Sequence, residues 1–567
     1  MFLDEIHDKI EALSSVADSR SSLSHCAENQ DSTDCKPPFF QSIEIKSTLI
    51  NRKKTYFIFK FNLDKVQKDC IFLFCKVTFY YFCKLKKSDM NREKIIAREA
   101  EMAELKRCYE SDRSEFVIVY GRRRVGKTFL VDTFFDKKYD FTYVGGHKLS
   151  KAKQLRGFAK ALKKAAGMKL QPKFDSWEDA FDALEEYIES LPQDKRKVIF
   201  IDEMPWIDTP QSEFMEAFET FWNGWGARRT DIMLVASGSA SSWMMDKLVD
   251  NPGGLHGRIT SNLYIRPFTL KETEEYLRNR GIRWSHYQIL QLYMIMGGVP
   301  FYLSLLDSKQ PLIGNIDRLF FRKNAELRTE FDELYNAVFN KADKYLEIVN
   351  LLNGNHDGLT FTEIQRSTTL DGERLTTALK NLERCDFIIS FRQFGNKSRG
   401  KLYRLVDFYT LFYYKFVDAI DSKDETWWTH NYNSHSVESW QGYAFELICF
   451  THIAQIRQSL GISGISTAAS SWRYIPVKTE EGKKAQIDLV IERGDRNINL
   501  CEMKFSGGPF IIKKSYAEDV RKRTQLFREK EKISYGLFQT FVTTFGVADG
   551  VNKDIVDSEV TAEDLFV

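Results

Sequence analysis

Two hydrophobic periods alternate through the middle of this chain. Short, nearly unbroken apolar runs at 116–120, 141–144, 198–201, 232–236 and 262–265 predict strands. Runs of that length without polar interruption suit strands covered on both faces, as in a parallel sheet. Between them lie longer amphipathic stretches, notably 151–166 and 177–191, which predict helices. The spacing of Ile96, Met102, Leu105 and Tyr109 predicts a helix over 95–109 leading into the first strand. Repeated strand-then-helix predicts an α/β fold with helices on both faces of the sheet. Residues 269–353 read as mainly helical, and 345–405 as three helices and a β-hairpin. From 440 onward the pattern is mixed, with a strong hairpin at 485–505 and no internal repeat.

A chain of 567 residues is too long for one core. The pattern divides it into an atypical extension (1–89), a sheet-bearing core (90–268), a mainly helical stretch (269–342), a third unit (343–420) and a C-terminal α/β unit (421–567). Residues 1–89 combine a Ser/Asp-rich stretch with an aperiodic run of Phe, Lys, Tyr and Cys, and five of the nine cysteines fall there. Two readings stand open: an accessory or disordered extension, or a natural start at Met90.

At 43% hydrophobic and 28% charged residues, the composition is that of a soluble globular protein. A net charge of +3 provides no global basic field, so any nucleic-acid contact must come from local patches. The cysteines show no metal-ligand spacing, which fits a reducing, cytoplasmic compartment. The N-terminus lacks the apolar core of a signal peptide. The apolar stretch 71–83 is too short to span a bilayer and contains Lys76, so no membrane association is expected.

Residues 121–128 read GRRRVGKT, a match to G-x-x-x-x-G-K-[ST] between a predicted strand and a predicted helix. In such a P-loop, backbone N–H groups and the helix N-terminus cradle phosphate oxygens. Gly121 and Gly126 permit the tight wrap around Arg122, Arg123, Arg124 and Val125. Lys127 reaches the β- and γ-phosphates, Thr128 coordinates Mg²⁺, and Phe129 opens the helix beside the nucleotide. The expected ligands are therefore a nucleoside triphosphate, ATP, and Mg²⁺. The strand 198–201 ends in Asp202 and Glu203, at the sheet edge where ligands bind. Asp202 would hold Mg²⁺ and Glu203 would polarise the attacking water. The alternative is an acidic pair capping a helix after a core strand. The strand 232–236 ends in Ser237-Gly-Ser239, and either serine is a candidate γ-phosphate sensor, against plain loop chemistry. Arg258, in LHGR, would stabilise transition-state charge within the chain or from a neighbouring copy in a homo-oligomer; a surface arginine is the alternative.

These motifs, taken in order with Arg98-Glu99-x-Glu101-Met and Gly297-Gly-Val-Pro300-Phe-Tyr-Leu, resemble prokaryotic ATPases related to AAA+ and STAND proteins. The clade resembled carries a Gly-x-Pro motif after its ATPase core. The resemblance covers residues 95–567 and implies ATP hydrolysis, with Gly298 and Pro300 marking a helical lid, followed by a winged helix and a nuclease-like domain. Ala97 departs from the Gly often found before Arg-Glu, and no second sensor arginine is evident near Pro300.

In the third unit, residues 372–383 occupy the place of a recognition helix. Arg374, Lys380 and Arg384, with Arg392, Lys397, Arg399 and Lys401 on the wing, form a locally basic surface suited to DNA phosphates. Glu373, Glu383 and Asp386 dilute it, and a protein-docking or structural role is the other reading. In the C-terminal unit, Asp488 and then Glu502-Met-Lys504 give D…ExK spacing on a predicted hairpin, with Glu446 on an upstream helix. Glu502 and Lys504 share a strand face. Glu446, Asp488 and Glu502 would hold Mg²⁺ and Lys504 would activate water at a scissile phosphate. The constellation resembles the restriction-endonuclease-like PD-(D/E)xK fold, with Gln525 a later helix contact. Either the site cuts nucleic acid, or the fold is retained to bind DNA or a partner without cutting. The expected architecture is thus α/β throughout: a P-loop parallel sheet with helical lid, a winged helix-turn-helix, and a restriction-endonuclease-like C-terminal domain.

Overall fold

The computed structural model describes residues 44–47, 57–60, 95–250, 253–339, 342–395, 400–419, 424–474, 476 and 485–567. They belong to two contact units, Met1–Asn91 and Arg92–Val567. In the first, β1 (Glu44–Ser47) and β2 (Phe57–Lys60) pair antiparallel. The two readings of residues 1–89 otherwise lie outside the described residues, as do Lys397 and Arg399 of the expected wing.

The second unit begins with α1 (Glu99–Tyr109), which starts later than the apolar spacing predicts. Ala97 sits at φ 56, in the left-handed region that glycine favours, and Arg98 precedes the helix outside helical geometry. A five-stranded parallel sheet follows, from β3 (Glu115–Tyr120), β4 (Phe141–Val144), β5 (Lys197–Asp202), β6 (Ile232–Gly238) and β7 (Ser261–Tyr264), in the order β4-β5-β6-β3-β7. All five predicted strands are present, within two residues at each end. Alternate side chains explain the unbroken apolar runs. Phe116, Ile118, Ile199, Ile201 and Leu234 pack on one face against α3 (Lys151–Ala165), α4 (Trp177–Glu189) and α5 (Phe214–Gly224). Val117, Val119, Val198, Phe200 and Met233 pack on the other against α1 and α2 (Lys127–Phe134). Burial on both faces of the inner strands β3, β5 and β6 leaves no interior position there for a charged residue until the strand ends, which is where the chemistry emerges.

Helices α6 (Leu270–Asn279), α7 (His286–Met296) and α8 (Pro300–Ser304) come next. Thr269 and Glu272 form a reciprocal capping box that fixes the start of α6. Gly297, at φ 60, ends α7, and Pro300 opens α8. Gly298 lies so close to the chain after β7 that an added Cβ would meet the Phe268 carbonyl oxygen at 1.8 Å. The Phe268 N–H donates to the Gly298 carbonyl at 2.6 Å. Only glycine allows that backbone approach, so the Gly-x-Pro segment is locked onto the strand end beside the P-loop.

Beyond α9 (Glu330–Val338) lie α10 (Asp343–Asn353), β8 (Leu359–Thr360), α11 (Phe361–Ser367), α12 (Gly372–Arg384), β9 (Ile388–Gln393) and β10 (Lys401–Leu405). Then follow α13 (Phe408–Phe412), α14 (His435–Thr451), β11 (Thr467–Tyr474), β12 (Ala485–Arg493), β13 (Asn497–Lys504), α15 (Lys514–Lys530), β14 (Gly536–Thr543) and β15 (Ser558–Thr561). The strands do not form separate sheets. They join into one eight-stranded sheet, β15-β14-β13-β12-β11-β9-β10-β8, because β9 pairs in parallel with β11 through Arg392–Ser470 and Gln393–Ser471. One buried core runs with it, from Phe268 and Leu270 through Tyr409 and Phe412 to Leu489, Met503 and Phe566. The stretches drawn from sequence as 269–342, 343–420 and 421–567 share that core.

His452 links the ends of this core. Its Nε2 accepts the Leu270 N–H at the start of α6 (3.2 Å), and its Nδ1 lies 2.9 Å from the Ile448 carbonyl of α14. The Tyr293 ring packs edge-on at 5.6 Å. Burial pushes the imidazole down from 6.5 to about 4. A neutral ring is therefore built in: between pH 6.5 and 4 the unfolded chain takes up a proton that the folded chain refuses. Stability should fall by roughly 3 kcal/mol as pH drops through that window and level off below it. Urea titrations from pH 7 to 4 should show this slope, and His452→Gln should flatten it.

Candidate nucleotide site and its links to the C-terminal half

The site forms where β3, β5 and β6 end. β6 lies between the P-loop strand and the Asp202 strand, so its serines face both. Gly121, at φ 149, passes the end of β7, where an added Cβ would meet the Ile265 carbonyl oxygen at 2.2 Å. Gly126, at φ 90, turns the loop into α2. These two glycines bend residues 121–128 around the N-terminus of α2, the geometry that receives an anion.

Lys127 is buried and donates to Gly121 O (3.1 Å), Arg122 O (3.0 Å) and Ser239 Oγ (3.0 Å). Burial lowers its pKa, opposed by Glu203 and Asp202. Ser239 also donates its hydroxyl to Glu203 Oε1 (2.5 Å) and its N–H to Glu203 Oε2 (3.0 Å). Glu203 itself stands at φ 49 immediately after β5. Thr128 Oγ1 donates to Asp202 Oδ2 at 3.0 Å, and the Ser237 hydroxyl donates to Asp202 Oδ1. Burial raises the Asp202 carboxyl above its usual range, with the Ser237 bond opposing. Both serines are thus placed in the cluster, with Ser237 on Asp202 and Ser239 between Lys127 and Glu203. The Thr128 hydroxyl beside the Asp202 carboxylate is a pair of hard oxygen donors, which fits Mg²⁺. Phe129 is half-exposed on α2. Arg258 is exposed on the turn before β7, outside this hydrogen-bonded cluster.

The three loop arginines were expected at the nucleotide; their side chains instead reach into the C-terminal half. Arg122 is buried and pairs with Asp407 through Nη1 at 2.5 Å. Arg124, at φ 75, makes a two-pronged pair with Glu330 (3.0 and 2.9 Å) and lies 4.0 Å over the Phe301 ring. Arg123 Nη2 stands 3.8 Å from Glu333. Acidic partners on α9 and before α13 hold these guanidinium groups, so only the backbone of 122–124 stays with the phosphate-binding loop.

The family match falls on the segment that carries this site. Residues 95–306 match a family described as an ATPase domain predominantly from Archaea. The chain carries an archaeal-type ATPase domain. Over 325 residues it is 26% identical to an uncharacterized protein of Methanocaldococcus jannaschii, covering 57% of this chain and 68% of that one. A 43-residue stretch is 40% identical to an uncharacterized ATP-binding protein of the same organism, covering 8% of this chain and 73% of that protein. Among solved structures, a Walker-type ATPase of Pyrococcus abyssi overlays 56% of this chain and 96% of its own, at 17% identity and a TM-score of 0.41. Among the described residues no helix is long and apolar enough to cross a membrane.

The expected recognition helix, α12, is docked on the ATPase domain. Lys380 Nζ lies 3.1 Å from Asp246, and Arg384 bridges Asp246 (2.7 Å) and Asp250 (2.6 Å) in the segment after β6. Arg374 pairs with Asp371 at its own helix start (3.3 Å). All three helix cations expected to face DNA therefore have acidic partners within the chain, two of them on the ATPase domain, while Arg392 and Lys401 on the hairpin are exposed.

In the C-terminal sheet, β12 carries Asp488, β13 carries Glu502 and Lys504, and α14 carries Glu446. Burial, then the Asp488 carboxylate, pushes Glu446 above the ordinary carboxylate range, with Arg404 and Lys504 opposing. The four groups thus sense one another. Glu502, however, is already occupied: Arg523 Nη2 lies 2.8 Å from Oε1, and the Tyr516 hydroxyl donates to Oε2 at 2.6 Å. Among the described residues no group of three or more His, Cys, Asp or Glu is arranged to hold a metal ion. The Glu446, Asp488 and Glu502 trio, expected as Mg²⁺ ligands, does not fit the ion in this arrangement, because donors from α15 fill the Glu502 oxygens. Gln525, expected from sequence to make the helix contact, points to solvent and pairs with Glu529. Arg523, two residues earlier, makes it. Nothing in its sequence context separates it from the other basic residues of α15.

The Arg122–Asp407 pair yields a direct test. Asp407→Ala would leave a buried guanidinium uncompensated and remove the cap that Asp407 gives Thr410. Stability should fall by about 3–5 kcal/mol in urea unfolding. Arg122→Met combined with Asp407→Leu should recover most of that loss. An unchanged midpoint for Asp407→Ala would show that the pair does not hold the loop.

Proposed function

We propose that this protein is a cytoplasmic ATP hydrolase whose nucleotide state is passed to its C-terminal half. The observation that carries this reading is the single hydrogen-bonded cluster of Lys127, Ser239 and Glu203, with Thr128 and Asp202 beside it, at the strand ends of a parallel sheet. Phosphate oxygens would compete with these three acceptors for the Lys127 ammonium group. Thr128 and Asp202 would hold Mg²⁺, which neutralises phosphate charge. Glu203 accepts the proton as water attacks the γ-phosphorus and the bond to ADP breaks. Ser239 contacts both Lys127 and Glu203, so it is placed to register whether the γ-phosphate is present. Arg258, exposed beside the sheet, is offered as the charge-stabilising arginine supplied between copies in a homo-oligomer.

The links to the C-terminal half support the second part of the proposal. The P-loop arginines end on Asp407, Glu330 and Glu333, and α12 ends on Asp246 and Asp250. Residues 343–420 have the element order of a winged helix, here read as a DNA-binding module held closed by its own acids. Residues 421–567 follow the order helix, three antiparallel strands, helix, parallel strand, which supports a restriction-endonuclease-like fold. The engagement of Glu502 by Arg523 favours the reading in which that fold binds nucleic acid or a partner without cutting.

Lys127→Ala should abolish ATP turnover, while Glu203→Gln should keep ATP binding and lose at least about 100-fold in turnover. Phosphate release and nucleotide-binding assays separate the two. Turnover unchanged in Lys127→Ala would defeat the ATPase reading. For the docked helix, Asp246→Asn with Asp250→Asn should tighten duplex DNA binding in fluorescence anisotropy. Adding Lys380→Ala and Arg384→Ala should remove the gain; a gain that survives them would place the DNA contact elsewhere.

A further inference from the structure

The C-terminal carboxylate cluster contains its own cation. Glu502 is buried on β13 with its side chain 4% exposed, and both oxygens are taken. Oε1 receives Arg523 Nη2 at 2.8 Å, and Oε2 receives the Tyr516 hydroxyl at 2.6 Å, with Lys504 Nζ 3.9 Å away. The same guanidinium donates through Nη1 to the Gln486 carbonyl at 3.1 Å. Gln486 in turn donates through Nε2 to Asp488 Oδ1 at 2.9 Å. Arg523 therefore ties β12 to β13 from above, touching one acid directly and the other through one residue. Lys504 Nζ lies 5.5 Å from the centre of the Tyr516 ring.

A divalent ion at such a place needs several oxygens with free lone pairs. A planar guanidinium needs only one or two acceptors in its plane, and supplies one positive charge without hydration. Two cations, Arg523 and Lys504, already stand at Glu502. We infer that Arg523 is a built-in counter-ion standing where a divalent metal would sit, so that the folded protein takes up no metal at this cluster. The inference rests on reading residues 421–567 as a nuclease-like fold, since only that fold leads one to expect a metal there. It also specifies the ligand class the cluster does accept: a guanidinium or similar planar monovalent cation, supplied in cis by α15.

Removing the guanidinium leaves Glu502 buried and short of its charge partner, a state that a metal ion can relieve. Arg523→Gln should therefore become a metal site. The experiment titrates Mn²⁺ into nucleotide-free full-length protein, with electron paramagnetic resonance for uptake and thermal melting for stabilisation. Wild type should show no Mn²⁺ uptake that Glu502→Gln removes, and no shift in Tm. Arg523→Gln should take up one Mn²⁺ at least tenfold more tightly than wild type, with a Mn²⁺-dependent rise in Tm. Glu502→Gln in that background should abolish both. Arg523→Lys, which retains a cation, should behave as wild type. Mn²⁺ uptake by wild type that Glu502→Gln removes would overturn the inference while leaving a metal-dependent nuclease reading intact. A folded Arg523→Gln that takes up no Mn²⁺ would overturn both. Were Arg523→Gln not to fold, the wild-type and Glu502→Gln comparison decides alone.

Discussion

The buried pair between Arg122 and Asp407 is the constraint on which much of this structure depends. Its partners lie 285 residues apart, one inside the phosphate-binding loop and one at the start of α13. A guanidinium with almost no solvent contact is tolerated only with a close carboxylate, since the desolvation cost of either charge alone is several kcal/mol. Two further nitrogens, Nε and Nη2, find no acceptor among the described residues, so Asp407 is the main compensation. The Phe387 ring, 5.4 Å from the guanidinium carbon, covers one face. The loop that must wrap phosphates is therefore shaped partly by a residue of the C-terminal half. The Arg124–Glu330 pair and the Phe301 N–H bond to the Arg124 carbonyl (3.3 Å) add two more attachments, from α9 and α8.

The arrangement makes the nucleotide site a junction of three segments rather than a pocket in one. The strand ends provide Asp202, Glu203, Ser237 and Ser239. The loop provides Lys127, Thr128 and its backbone N–H groups. The Gly-x-Pro segment closes from above, backbone to backbone, against the residues that follow β7. Ser239 is the shared contact: one hydroxyl bonds both Lys127 and Glu203. In the function proposed above, a change at the γ-phosphate position would reach both groups at once, and through the loop Asp407 and Glu330 as well.

The central sheet is legible in the sequence because its inner strands, β3, β5 and β6, are buried on both faces and so read as apolar runs. The same logic exposed Asp202 and Glu203, the first polar residues after such a run. Ser239 was legible as a small hydroxyl at a strand end, although its simultaneous grip on Lys127 and Glu203 was not. What stayed hidden depends on partners distant in the chain. The charges of Arg122 and Arg124 suggested phosphate, because nothing local reveals an acid hundreds of residues away. Lys380 and Arg384 looked like a nucleic-acid face for the same reason. Arg523 was overlooked in favour of Gln525 because helical phase alone does not identify which side chain meets Glu502. The late start of α1 followed from Ala97, whose backbone conformation overrides the apolar spacing that predicted a start near residue 95.

The parallel pairing of β9 with β11 has a mechanical meaning. A hydrogen-bonded sheet is stiff along its ladder, since sliding one strand breaks several bonds together. By fusing the hairpin after α12 to the strands that carry Asp488 and Glu502, the chain turns two modules into one rigid plate. A tilt of α12 against Asp246 and Asp250 cannot then be absorbed in a hinge between them. A load there passes along the shared ladder toward β12 and β13, the inner strands that carry Asp488 and Glu502.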